Sequence, residues 1–279
     1  LLVMADSAYS DMRWGDVIAA YEEAMVLNPN PESENLEVQL FTSYYQKIRE
    51  ILSSENPTIT DIDTAETYYY KAVALVAQDK AFTQERRDLQ QFLVSLLNLK
   101  YRQIARAFID SSFATEDSIS KAVDYLRKAL SLSPGDARIS SELDKAQTYL
   151  FATQKFDRME WDAAITNLEK LSRFQSNYAN GMVKYMLYEA YSARGIRFLN
   201  AGYFLDARND LEKAEIIAWE VPDNKLQRFE AQVNVGLALG KMYDYTNAVK
   251  YFSMALDSAG LEGSVTDANK LAALQSARV

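Results

Sequence analysis

Arg102 and Arg106 stand four residues apart, with Lys100 close by. On a helix that spacing sets two guanidinium groups on one face, which suits an anion such as a carboxylate or phosphate; the same pair also reads as an ordinary solvated basic face. Little else in the chain could do chemistry. Its 279 residues include no Cys and no His, which removes zinc and haem sites built on those ligands, thiol nucleophiles, disulfides and histidine-based triads together. Carboxylates, Lys, Tyr and Ser are left. Two carboxylates could run glycoside hydrolysis, but a repeat pattern does not reveal their separation, and three Trp make a meagre sugar platform. The sequence therefore supplies no catalytic set, no metal ligands and no cofactor motif, and we expect a protein that is not an enzyme. The 18 Tyr, dense in "SYYQ" and "TYYYKA", could stack on a ligand. Tyrosine serves equally well between packed helices with its hydroxyl at the wet edge.

The elements that would position any site are helical. The chain is 48% hydrophobic and 25% charged, enough to bury a large core, and has only 9 Gly and 5 Pro to make turns. Ala, Leu, Glu, Lys, Gln and Met fill the intervals, so an all-α protein is expected. No run of 18 apolar residues and no signal peptide is present, so the segment is not expected to insert in a membrane. The net charge of −9 argues against a nucleic-acid partner. Charge is uneven: residues 1–66 hold 13 acidic and 3 basic residues, whereas residues 80–106 carry six basic residues against two acidic ones. Such a split is either two solvated faces or a polar docking surface. The chain starts at Leu1, which reads as a segment of a longer protein, and the lack of Cys and His leans toward the extracytoplasmic side of a bacterial membrane.

"YDYTNAVKYFSMAL", "MEWDAAITNLEKL" and "YFLDARNDLEKA" fall into one register when aligned on Ala248, Ala164 and Ala207. A large apolar residue precedes each by three (Tyr245, Trp161, Phe204), another follows by four (Phe252, Leu168, Leu211), and Ala255, Leu171 and Ala214 follow by seven. The frame recurs around Val17, Ala65 and Ala122, making six copies spaced 48, 57, 42, 43 and 41 residues apart. Offsets of −3, 0, +4 and +7 share one helix face. Each interval has room for one further helix, so the unit is a helical hairpin. Twelve residues before the centre stands a small residue in four copies: Ala5, Ala152, Gly195 and Gly236. A helical Gly costs about 1 kcal/mol relative to Ala, so a close crossing of the two helices is the expected reason. Ala152, Ala164, Gly195, Ala207, Gly236 and Ala248 are thus the expected repeat-packing residues.

This pattern resembles the tetratricopeptide repeat, most closely where Gly236, Tyr245, Ala248, Phe252 and Ala255 follow its small–aromatic–small signature. The spacing is longer than that family's period of about 34 residues, as in kinesin light chain repeats, which implies helices lengthened by about a turn. The early aromatic of the first helix is Tyr191 in the fifth copy and is replaced by Thr148 in the fourth. The resemblance implies an α-α superhelix, a right-handed solenoid of about six hairpins in a single domain over residues 1–279. The hairpins are placed at about 1–27, 33–78, 82–132, 136–174, 178–218 and 224–258, with a capping helix at 265–277.

The resemblance also implies that the first helix of each pair lines a concave groove and that a protein or peptide partner lies there. On this sequence the inner positions are Tyr149, Thr153 and Phe156 in the fourth copy, then Glu189, Ser192, Ile196 and Leu199 in the fifth, and Glu230, Val233, Asn234, Leu237 and Lys241 in the sixth. Tyr149 and Phe156 are the expected aromatic anchors. The carboxylate clamp of one subtype is not matched, because Glu189 and Glu230 interrupt Asn234 and Lys241. The expected function is a non-catalytic protein-interaction scaffold; the alternative is a ligand-sensing module of a larger regulator or membrane-anchored protein.

Overall fold

Burial follows the six-copy frame. The centres Val17, Ala65, Ala122, Ala164, Ala207 and Ala248 are all buried, and so are the residues four later: Tyr21, Tyr69, Leu126, Leu168, Leu211 and Phe252. The computed structural model describes residues 2–27, 36–54, 57–78, 84–111, 114–220 and 225–258. Within them there are twelve α-helices, one short 3-10 turn and no strand. The fold is all-α, as the composition requires, and its helices pair into six consecutive hairpins. The expected cap at 265–277 lies outside the described residues.

The chain divides into two compact units. The first comprises Leu1–Ala105 with Asp124–Ser140. It holds α1 (Leu2–Ser10), α2 (Trp14–Leu27), α3 (Leu36–Leu52), α4 (Ile59–Gln78), most of α5 (Gln84–Ile109) and the second half of α6 (Glu116–Leu132). One apolar cluster joins α1 to α4 through Ala5, Val17, Tyr21, Leu40, Tyr44 and Ala72. A second runs through Ile48, Ile62, Tyr69, Leu97, Tyr101 and Ala129. Across this second cluster Lys128 meets Glu66 at 2.6 Å and sits over the Tyr101 and Tyr125 rings, so a half-buried cation is paired and covered. The wide spacing between the second and third frames goes into the 20 residues of α4 and the 26 of α5. Thr58 and Asp61 form a reciprocal capping box at the start of α4, and the Thr58 hydroxyl, then its backbone amide, both donating to the Asp61 carboxylate, lower the Asp61 pKa.

The second unit comprises Arg106–Val123 with Ser141–Val279. It holds most of α7 (Ala137–Asp157), then α8 (Trp161–Phe174), α9 (Met182–Ala201), α10 (Phe204–Glu220), α11 (Lys225–Lys241) and α12 (Tyr245–Ser258). In α8 the buried residues Ala164, Ile165, Leu168 and Leu171 recur at helical spacing and make its packed stripe. The small residues upstream of each centre have a steric reason. A Cβ built on Gly236 would lie 2.6 Å from Phe252 Cε1, and one on Gly195 would lie 2.7 Å from Leu211 Cγ. Each glycine of a first helix faces the +4 side chain of the second. Ala152 is fully buried at the equivalent place in α7, where the corresponding residue of α8 is Leu168.

Four hairpins turn in the same way. Met12, Met159, Gly202 and Tyr243, each five residues before a frame centre, have φ of 58°, 59°, 83° and 63°. The next amide reaches back five residues each time: Arg13 to Ala8, Glu160 to Lys155, Tyr203 to Phe198 and Asp244 to Leu239, at 2.9–3.0 Å. This is a Schellman closure. Only one of the four carries the glycine that left-handed backbone favours; the exposed Met12, Met159 and Tyr243 hold their turns against a steric penalty of about 1 kcal/mol each. The large residue at −3 is half-buried as Trp14, Trp161 and Phe204, but Tyr245 is exposed, edge-on to Tyr243.

The fifth hairpin starts differently. Ala179, Asn180 and Gly181 are left-handed in succession, with φ of 52°, 52° and 86°, so α9 begins at Met182 after a reversed turn over Tyr178–Gly181. Asn180 Nδ2 donates to the Asp110 carbonyl at 2.6 Å, which anchors this turn inside the second unit. Tyr178 is driven into the core against Tyr149, ring centroids 5.6 Å apart. Burial, then the neighbouring Tyr149, Asp110 and Glu142, push its hydroxyl pKa far up.

Candidate functional site

The candidate site lies in the second unit, on the face that α9 and α11 present together. Those helices touch directly, and Tyr188 of α9 ties them by donating from its hydroxyl to the Gln227 carbonyl at 3.2 Å. Glu189, Ser192, Ile196 and Leu199 fall at helical spacing on α9, as do Glu230, Val233, Leu237 and Lys241 on α11.

Burial divides the residues assigned to this face. Ile196 and Leu237 occupy the same place in neighbouring repeats, one after Gly195 and Gly236, and are 38% and 37% exposed. Lys241 is exposed, and Asn234 and Leu199 are half-buried. Ser192 and Val233 lie beneath them, buried. Leu199 packs on the core cluster of α10–α12.

At one end of the face the chemistry is acidic and aromatic. Tyr185 is partly exposed, and burial first, then the Glu189 carboxylate beside it, raise its pKa. Tyr188 is raised further, by burial foremost and then by Glu230, while the Ser192 hydroxyl nearby pulls the other way. Carboxylates of two touching helices therefore lie near the partly exposed Tyr185 and the buried Tyr188. Such a spot favours a cation from outside over an anion.

Tyr149, Thr153 and Phe156 of α7 are placed differently. Tyr149 is 1% exposed, edge-on to Tyr178, with a hydroxyl that burial alone pushes up to about 12. Thr153 is buried, and its hydroxyl has no hydrogen-bond partner among the described residues. Phe156 is half-buried and packs edge-on against Trp161 at 5.5 Å. The two aromatic rings expected as ligand anchors thus pack against other rings, Tyr149 on Tyr178 ahead of α9 and Phe156 on Trp161 of α8. The repeat-packing residues Ala152, Ala164, Gly195, Ala207, Gly236 and Ala248 are all buried. On α5, Arg106 spends its charge on Asp110 at 3.1 Å, and Arg102 is engaged as well.

The strongest polar cluster was not visible from spacing. Arg194 of α9 grips Asp210 of α10 through two bonds of 2.6 and 2.8 Å and reaches Asp162 of α8 at 2.6 Å. Its guanidinium lies against the Tyr191 and Phe198 rings, and the hydrogen bonds it donates to Asp210 lead the causes that raise its pKa. Tyr191 donates to Glu169 of α8, with Lys213 4.8 Å above its ring. Every charge here has a partner, so the cluster joins α8, α9 and α10. Among the described residues no cluster of carboxylates could hold a metal ion, and no helix is long and apolar enough to cross a membrane.

No protein-family model matches the chain, and no curated protein matches it. Among solved structures it is similar to the TPR2AB domain of yeast Sti1 in a complex with pHSP90, at 14% identity over 99% of this chain and 94% of that one, with a TM-score of 0.33. It is also similar to the TPR domain of P58(IPK), at 16% identity over 99% of this chain and 63% of that one, with a TM-score of 0.37. Both likenesses are loose. The assignment as an all-α helical-repeat protein rests on the paired helices and the buried six-copy frame described above.

Proposed function

We propose that this protein is a non-catalytic interaction scaffold whose α9–α11 face receives a peptide or helix from a partner protein. The observation that carries the proposal is the pair Ile196 and Leu237, which lie at equivalent positions of neighbouring first helices, more than a third exposed, above the buried Ser192 and Val233. Two aliphatic side chains in adjacent repeats make a graded apolar strip for residues of a ligand, and a rigid helical frame lowers the entropic cost of capture. Glu189 beside Tyr185 adds a preference for Lys or Arg next to the apolar contacts. Nothing in this arrangement aligns a nucleophile with a base.

Peptide display against the immobilised protein tests this reading. Selected peptides should combine aliphatic residues with Lys or Arg and should lose at least about tenfold in affinity, ~1.4 kcal/mol, for an Ile196→Asp/Leu237→Asp variant. Circular dichroism should show that variant folded, since both positions are partly exposed. Peptides that bind the variant and the parent equally would place recognition elsewhere.

A further inference from the structure

The first hairpin carries a second surface in the other unit. Between α1 and α2 runs an open trough of about 570 Å³. Small residues line it, Ser7 and Ala8 from α1 and Ala19 and Ala20 from α2, together with the paired Arg13 and Asp16 and with Glu23; Val3 and Met4 add apolar surface and are 82% and 71% exposed. Residues 3, 4, 7 and 8 form one helical stripe and residues 16, 19, 20 and 23 another, so the trough follows about two turns of each helix. Small side chains between two helices leave room for a third helix to approach closely, with its larger side chains entering the groove. An extended strand has no such reason to bind, because both helices already satisfy their own backbone groups.

The charge around the trough selects the chemistry of that helix. Residues 2–27 contain five carboxylates and a single cation, Arg13, which is engaged by Asp16 at 2.6 Å and Asp11 at 3.4 Å. Lys71 of α4 pairs with Glu22 at 2.7 Å. Glu23, on the trough lining, is exposed and has no ion-pair partner among the described residues. The rim is therefore anionic after internal pairing. We propose that the α1–α2 trough docks an amphipathic helix of a partner protein, one with Leu, Ile or Met along its inner stripe and Lys or Arg flanking that stripe.

The probe is a fluorescein-labelled helical peptide of Leu and Lys, with a Leu and Glu peptide of the same apolar stripe as control, followed by anisotropy. The Leu and Lys peptide should bind, the control should not, and raising salt should weaken the complex. Ala19→Trp, which fills the trough from an exposed position, and Glu23→Lys, which reverses the rim, should each weaken binding by about tenfold or more. All of these measurements are made in the Ile196→Asp/Leu237→Asp background, so that the α9–α11 face, which would also take aliphatic and basic residues, does not contribute and binding reports on the trough. Equal binding of both peptides, or full binding by the Ala19→Trp variant, overturns the proposal. So does sedimentation showing a dimer of the parent chain that Ala19→Trp dissociates, since a second copy would then occupy the trough.

Discussion

Adding one methyl group at Gly236 should destabilise the protein even though alanine is the better helix former. The new Cβ would stand 2.6, 2.8 and 3.0 Å from three carbons of the Phe252 ring, against an ordinary carbon–carbon separation of about 3.5–4.0 Å. A planar ring cannot fold its contacting edge away, so the ring must rotate or α11 and α12 must part. Overpacking of this kind costs about 1–3 kcal/mol, and the gain in helix propensity returns about 1 kcal/mol. A net loss of about 1 kcal/mol, and at most about 2, is expected for Gly236→Ala in urea unfolding followed by circular dichroism. The fourth hairpin offers a control. Ala152 takes the place of Gly236 in α7, where the residue corresponding to Phe252 is Leu168, so a branched aliphatic chain can accept the methyl group. Gly236→Ala combined with Phe252→Leu should therefore be less destabilised than the two single changes added together, by about 1 kcal/mol. A Gly236→Ala variant as stable as the parent, or a double variant that is merely additive, would refute the close-crossing explanation for the glycine.

Arg194→Met should destabilise by about 3–5 kcal/mol, because the buried Asp210 carboxylate would lose its bidentate partner; chemical unfolding measures it, and Arg194→Met with Asp210→Leu should recover much of the loss. Alkaline pH should unfold the protein. Burial holds the Tyr149 pKa up at about 12 in the fold against about 10 when unfolded, so the fold favours the protonated phenol. That contribution is complete below pH ~10 and is lost as pH rises toward about 12; Tyr149→Phe should flatten this part of the stability profile, read from phenolate absorbance alongside circular dichroism.

What was legible in the sequence was the packing between helices. Small and large residues at 0, +4 and +7 record a helix face directly, and so Ala164, Leu168 and Leu171 show their burial in their types. The candidate face was legible only as a set of positions. Ile196 and Thr153 hold the same repeat position, yet one is exposed and the other buried. Asn180 before Gly181 does signal a left-handed turn, but Ala179 carries no such signal, and neither do Met159 and Tyr243, so those turns could not be anticipated. Arg194 illustrates a different limit. Its partners lie 32 residues upstream and 16 downstream, and nothing in local composition distinguishes it from the exposed Arg197 one turn along.

Arg194 has a consequence for how the second unit comes apart. One guanidinium is shared by a helix of the fourth hairpin and both helices of the fifth, so neither hairpin can open without stranding a carboxylate or the cation. Repeat arrays ordinarily fray one module at a time. Here the two modules should exchange their amide hydrogens as a single cooperative block, and any lesion in α8 should register in α10.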